Sequence, residues 1–334
     1  AGIMTPRGTL RAGLLACVGM AGLCLPDAPA LAQRFDPFDR LGTLQAADNP
    51  LDQDKRVGVA DRPRPEYAAV PIKLGSLEVM PQLLLKLDTD DNIYAVNNPR
   101  VGDQILHVRP RLSISRPSPD LSWSLAGEYD GARYFNHTSE NDDDYALQGQ
   151  AHYTIHHDTG FDLRLLQSRN SEQRTSPDSP TAAARPTQFY VTEAYGDLSH
   201  VFGRASLRAT LDFERRNYRD NATTTGAVID QDFRDRSTVT GGLIAQYAMS
   251  PRFALFTAVS GNSRDYRTRI GPVPARDSTG YELALGANFD LGHLIHSTVR
   301  LGYMRQSYTD PLFRDVHGLL VRGKAAYDLA PLVT

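Results

Sequence analysis

From Gly75 onward, apolar and polar residues alternate with a period of two. Leu77, Val79, Pro81, Leu83, Leu85 and Leu87 fall on one face, and Ser76, Glu78, Met80, Gln82, Leu84 and Lys86 on the other. Side chains on a strand point alternately to its two faces, so this run predicts a strand with one apolar and one polar side. It is as long as a tilted strand must be to cross a bilayer. The pattern recurs at Leu106 to Ile114, Leu121 to Tyr129, Tyr145 to Ile155, Phe161 to Leu165, Tyr190 to Leu198 and Ala205 to Phe213. It returns at Val239 to Tyr247, Phe253 to Val259, Tyr281 to Leu291, Val299 to Tyr303 and Leu319 to Tyr327. About twelve strands are expected, nearly all of the alternating kind.

The connections between these runs alternate in length. Short turns are expected at Pro117 to Asp120, Asp158 to Gly160, Val201 to Gly203, Met249 to Arg252 and Gly292 to His293. Long polar ones are expected at Asp88 to Gly102, Asn136 to Asp144, Arg169 to Thr187, Asn217 to Gln231, Asn262 to Asp277 and Gln306 to Asp315. Outer-membrane barrels have short periplasmic turns and longer external loops, whereas a soluble sandwich has no reason for strict alternation. The expected fold is therefore all-β, an antiparallel up-and-down transmembrane β-barrel over residues 73–334. Aromatics are expected as two girdles. Trp123, Phe161, Phe253 and Phe289 lie near the short turns; Tyr134, Phe135, Tyr145, Tyr190, Tyr218, Phe233, Tyr281 and Tyr303 lie near the long loops.

Composition is compatible with this reading. With 41% hydrophobic and 22% charged residues and a mean hydropathy of -0.39, the chain has no helical membrane span beyond its N-terminus, but alternating strands escape that test. Residues 1–32 read as a signal peptide: Arg7 and Arg11 are basic, Ala12 to Leu25 is small and apolar, and Ala30-Leu31-Ala32 precedes Gln33. Met4 fits an initiator. Both cysteines, Cys17 and Cys24, lie in this segment, so disulfide and thiolate chemistry are not expected in the mature chain. Leu14-Leu15-Ala16-Cys17 loosely resembles a lipobox, but cleavage there would leave only a few apolar residues. Residues 33–72, rich in Asp, Pro, Arg and Gln, read as a disordered periplasmic extension. At the other end, Asp328 to Thr334 resembles the turn at Ala248 to Arg252, as if another strand were starting, and a barrel truncated at its C-terminus is expected, with a complete twelve-stranded barrel as the alternative.

Arg62-Pro63-Arg64-Pro65-Glu66-Tyr67, Leu74-Gly75-Ser76-Leu77, Pro81, Asp90-Asp91-Asn92-Ile93-Tyr94, Asp103-Gln104-Ile105 and Val108-Arg109-Pro110 carry a family likeness. On these motifs the chain resembles the beta-barrel porin 2 family. The resemblance implies an outer-membrane barrel of a Gram-negative bacterium, in a family some of whose members are similar to barrels encoded among exopolysaccharide-export genes. Expected partners are outer-membrane lipid, the barrel assembly machinery and polysaccharide-export components; nucleic acid is not expected. No cofactor is expected.

Parity supplies the candidate site. Lys86, Arg109, Arg111, Arg164, Arg204, Arg208, Arg216, Arg234, Arg236, Arg300, Arg322 and Lys324 fall on the polar face, with Glu78, Glu128, Asp130, Asp162, Asp212, Glu214, Glu282 and Asp290. The basic excess fits a water-filled path mildly favouring anions, because rings of Arg and Lys select them. A lattice of ion pairs that fills the lumen is the alternative, which would make the chain a structural or surface-interaction barrel whose loops bind partners. A surface hydrolase is a third reading, on His137 with Asp142, Asp143 and Asp144. It is weak, because such an acidic run is more often a solvated loop. His152 and His156 stand too far apart on a strand for one metal. A Ca²⁺ site between loop carboxylates is a further option. With no phosphate loop, nucleophile elbow or zincin helix in the sequence, an enzyme is not expected.

Overall fold

The computed structural model describes residues 70–267, 274, 276–291 and 295–327. The chain divides into two units, residues 1–34 and 35–334, and the described residues belong to the second. The signal peptide with its two cysteines, residues 33–69 of the extension, the turn at Gly292 to His293 and the terminal Asp328 to Thr334 lie outside the described residues. Part of the connection from Asn262 to Asp277 does too.

Thirteen strands form one antiparallel sheet. They are β1 (Ile72–Leu74), β2 (Leu77–Asp90), β3 (Asp103–Arg116), β4 (Leu121–Tyr134), β5 (Asp142–His156), β6 (Thr159–Glu172), β7 (Thr187–Phe202), β8 (Ala205–Tyr218), β11 (Arg236–Ser250), β12 (Phe253–Tyr266), β13 (Ser278–Leu291), β14 (Ile295–Tyr308) and β15 (Val316–Tyr327). Two short strands, β9 (Asn221–Ala222) and β10 (Val228–Ile229), pair with each other in the connection after β8. Each long strand pairs with the next long one along the chain, the up-and-down order that the alternating connections predict. Among the described residues no ladder joins β15 to β1 or β2, so the sheet has two edges. β1 was not foreseen; it folds back on β2 through a tight turn in which Gly75 takes φ +64, a conformation that glycine adopts without a Cβ clash.

The register explains the two faces. Leu83, Leu85 and Leu87 on β2 stand opposite Pro110, Val108 and Leu106 on β3. On β11 the alternation is complete: Ile244, Gln246 and Ala248 are buried while Leu243, Ala245 and Tyr247 are exposed. Leucines left open over one whole face, such as Leu85 at 60% and Leu285 at 68%, would each gain roughly 1.5–3 kcal/mol on leaving water for lipid tails. Their neighbours on the other face are buried against one another. Ile244, Phe256, Ala258 and Ala284 form an apolar cluster there. A Cβ at Gly286 would collide with the Phe256 ring, so the missing side chain is what lets that ring lie across β13.

Proline marks two irregularities. Pro81 lies on β2, beside the sheet edge, where a missing N–H is tolerated. Pro110 lies on β3 inside the sheet, and there the β3–β4 ladder skips from Val108↔Gly131 to Arg111↔Glu128 without changing register.

The aromatic expectation needs correcting in part. Tyr145, Tyr190, Tyr281 and Tyr303 lie on the apolar face, as do Trp123, Phe161, Phe253 and Phe289. Tyr134 and Tyr218 share the polar face instead, because they sit at even positions of β4 and β8. Phe233 lies in the single-turn 3-10 helix Asp232–Arg234 and is on no strand.

Candidate functional site

The polar face is built by cross-strand pairing, because residues directly opposite in adjacent strands share a side. On β2 to β4, Lys86 Nζ lies 2.9 Å from Asp88 Oδ2, and His107 lies between Asp88 at 3.5 Å and Asp130 at 3.7 Å. Arg109 Nε stands 2.8 Å from Asp130 Oδ2, and Arg111 donates to Glu128 at 3.4 Å. Opposite charges therefore alternate across three strands.

On β5 to β8 the face opens into a cavity of about 290 Å³. Gln148, Gln150, Arg164, Glu193, Tyr195 and Asp212 line it from the polar side. The Arg164 guanidinium covers the Tyr195 ring at 4.4 Å from its centroid, an attraction of cation for π-face. Tyr195 in turn donates its hydroxyl to Asp197 at 3.0 Å, and Arg208 Nε lies 3.3 Å from the same carboxylate. Nearer the short turns, the His152 ring nitrogen is 2.8 Å from Asp162. Farther along, Arg216 and Glu214 are both buried and 3.3 Å apart. Arg300 donates to Glu282, and the two residues are only 4% and 1% exposed.

Of the residues expected on this face, Lys86, Arg109, Arg111, Glu128, Asp130, Arg164, Arg208, Asp212, Glu214, Arg236, Glu282, Arg300, Arg322 and Lys324 share one side of the sheet. Arg204 and Arg234 are not on strands. Arg204 sits in the turn before β8 and reaches the Met249 carbonyl at 3.5 Å. Arg234 ends the 3-10 turn before β11, from which it donates to Glu172 at 2.8 Å and covers the Tyr218 ring. Asp88, His107, Asp197 and Arg264 also reach this face. The first three obey the same parity, and Arg264 lies where the apolar alternation of β12 has already ended.

The long connections are tied to one another and to the strand ends. Asp103 is a hub: it accepts from the backbone N–H groups of Gln104, Asn136 and His137, and it meets the His137 ring at 2.9 Å. Glu140, 3% exposed, accepts from Arg174 at 2.8 Å and from Tyr94 at 3.3 Å, joining three connections. Burial and the nearby Glu140 carboxylate push the Tyr94 phenol up. Asn221 donates to the Arg185 carbonyl at 2.8 Å, and Ala183 bridges to Thr223. Asp235, which burial pushes up, accepts from Tyr218 N–H at 2.6 Å.

These bonds bear on the hydrolase and metal readings. His137 turns to Asp103 and not to the acidic run. Asp142 accepts from Gln173, Asp143 from Tyr129 and Arg133, and Asp144 from Ser171. The four residues therefore form no His–Asp dyad among themselves; β5 begins at Asp142, and the run serves to fasten its end. Asp220, Asp230 and Asp232 bring carboxylate oxygens within 4.8 Å of one another. Asp220 and Asp230 already accept from the backbone of Gln231 and Asp232, which closes that turn.

The sequence model of the family described as "Putative beta-barrel porin 2" matches residues 64–334. Among solved structures the chain is similar to the NanC porin at 11% identity, over 74% of this chain and 100% of that one, with a TM-score of 0.32. It is similar to the toluene transporter TodX of P. putida at 10% identity, over 76% and 80%, with a TM-score of 0.34. The translocator domain of autotransporter NalP from Neisseria meningitidis is matched at 12% identity, over 76% and 89%, with a TM-score of 0.30. No curated protein matches the chain.

Proposed function

Because the chain belongs to the family described as Putative beta-barrel porin 2, we propose that it gives polar solutes a porin-like passage across the outer membrane, with the polar face of the sheet as the wall of the path. The observation that carries this reading is the division of the sheet into an open leucine-rich face and a face of charges and amides running from β2 to β15. Lipid accepts the first; only water and polar solutes suit the second. Lys86, Arg109, Arg111, Arg164 and Arg208, with their carboxylates and rings, would line it. Purified protein in a planar bilayer should give stepwise open-channel currents; a silent bilayer with folded protein present would sink the passage.

An exopolysaccharide is the larger cargo that the same reading admits. The amides of Gln148 and Gln150 beside the cavity offer hydrogen bonds to hydroxyl-rich chains. A deletion strain that secretes unchanged amounts of polymer would remove this version, and polysaccharide-export components with it. One observation favours a filled lumen instead: Glu282, Arg300, Ile244 and Phe256 are withdrawn from water on the polar side. Under that reading the barrel is structural, and the same currents are absent.

A further inference from the structure

We propose that the polar face of β11 to β13, near the long connections, holds an oxyanion-binding subsite centred on Arg264 and Arg236. Its place inside a conducting path rests on the passage reading above; its chemistry does not.

Register brings the parts together. Along one cross-strand row lie Glu214, Thr238, Arg264, Ser278 and Tyr308. Along the next lie Arg216, Arg236 and Tyr266. Arg236 and Arg264 are thus diagonal neighbours on adjacent strands, a spacing that long side chains bridge. Most other arginines on this face are bound to a carboxylate or a ring, as described above. No carboxylate lies within ion-pairing reach of these two among the described residues, and the nearest one along the row, Glu214, is two strands from Arg264 and bound to Arg216.

Buried atoms without partners point the same way. Arg264 Nε is buried with no hydrogen-bond partner, and so is the hydroxyl of Ser278, directly opposite it. Ser278 is 2% exposed. An unsatisfied buried donor is costly, so the arrangement is incomplete without an acceptor. Two guanidinium groups without a carboxylate present more donors than the single Ser278 oxygen can accept. The acceptor that fits is a carboxylate or phosphate oxyanion, which takes the planar fork of arginine in two parallel bonds.

The test replaces both arginines, R236Q and R264Q, in the full chain, with R215Q as control. Arg215 lies on the opposite, exposed face, so it reports the loss of a positive charge away from the polar face. Retained gel mobility of the unheated barrel shows that each variant folds. In a KCl gradient the wild-type reversal potential should favour chloride, R236Q/R264Q should lower the chloride-to-potassium permeability ratio several-fold, and R215Q should leave it alone. Added inorganic phosphate should block the wild type and not the double variant. Current with an unchanged ratio and unchanged block would overturn the subsite while leaving the passage intact. If the wild type passes no current, the passage reading fails separately. Phosphate titration of the detergent-folded protein then decides the subsite: saturable binding lost in R264Q supports it, and no binding to the wild type overturns it.

Discussion

At the scale of single residues, Glu282 and Arg300 show how the polar face holds charge. Two ions withdrawn from water lose hydration worth several kcal/mol each, which their attraction repays only while both are present. Replacing Glu282 alone with methionine leaves Arg300 buried beside Phe256 and Gly286, and should cost about 3–5 kcal/mol. E282M/R300M should recover most of that loss, since an apolar pair of similar volume suits the adjoining Ile244 cluster. Urea unfolding in lipid vesicles measures both. If the single variant is no less stable than the double, the pair does not hold the strands together. Gly286 belongs to the same arrangement: its lack of a side chain is what the Phe256 ring occupies.

At the scale of the elements, the long strands run to 12–16 residues, more than the roughly 9–11 needed to span the hydrocarbon. The apolar alternation reports only the part that lipid selects. This is why the pattern located all of the long strands yet stopped short at their outer ends. β12 reads clearly to Val259, but Ser260 to Asp265 are polar on both faces apart from a glycine, and Arg264 was lost with them. Likewise Asp142 to Asp144 read as loop, although they pair with Ala132 to Asp130. Parity found the face; it could not choose partners. Arg109 meets Asp130 across a gap in the ladder, and Asp197 meets both Tyr195 and Arg208, contacts that depend on registers no single strand encodes. β1 escaped because three residues are too few for a period.

The connections make a pH prediction of their own. Asp315 accepts from Arg305 at 3.1 Å, from the Ser307 hydroxyl at 2.9 Å and from Tyr308 N–H at 3.2 Å. The Arg305 hydrogen bond first, then the other two, hold its carboxyl below the usual aspartate range. A lowered folded value means that the contribution is fully present above about pH 4, the unfolded value, and is lost as pH falls through the lowered one. Hydrogen-exchange protection at Tyr308 should therefore be flat from neutral pH to about pH 4 and fall below it. D315N should remove the pH step; protection that falls identically in both proteins would contradict the assignment.

At the scale of the whole sheet, each face meets a different solvent. Leu243, exposed in mid-strand on the apolar face, and Thr240, on the polar face opposite Asp212 and Asn262, stand three residues apart on β11. An arginine at position 243 should cost about 2–4 kcal/mol of folding stability in lipid, and one at 240 much less, because the polar face keeps it hydrated. Reversible urea unfolding in vesicles separates the two, and equal costs would mean that the faces had been assigned wrongly.

Pro110 gives this wall a direction of weakness. The β3–β4 ladder has fewer rungs than any other between long strands, because one stretch of it is skipped at the proline. A wall of antiparallel strands behaves as a zipper, and a zipper parts where teeth are missing. At that gap Arg109 and Asp130 fasten β3 to β4 through their side chains instead, so losing either charge should speed hydrogen exchange on these two strands ahead of the rest.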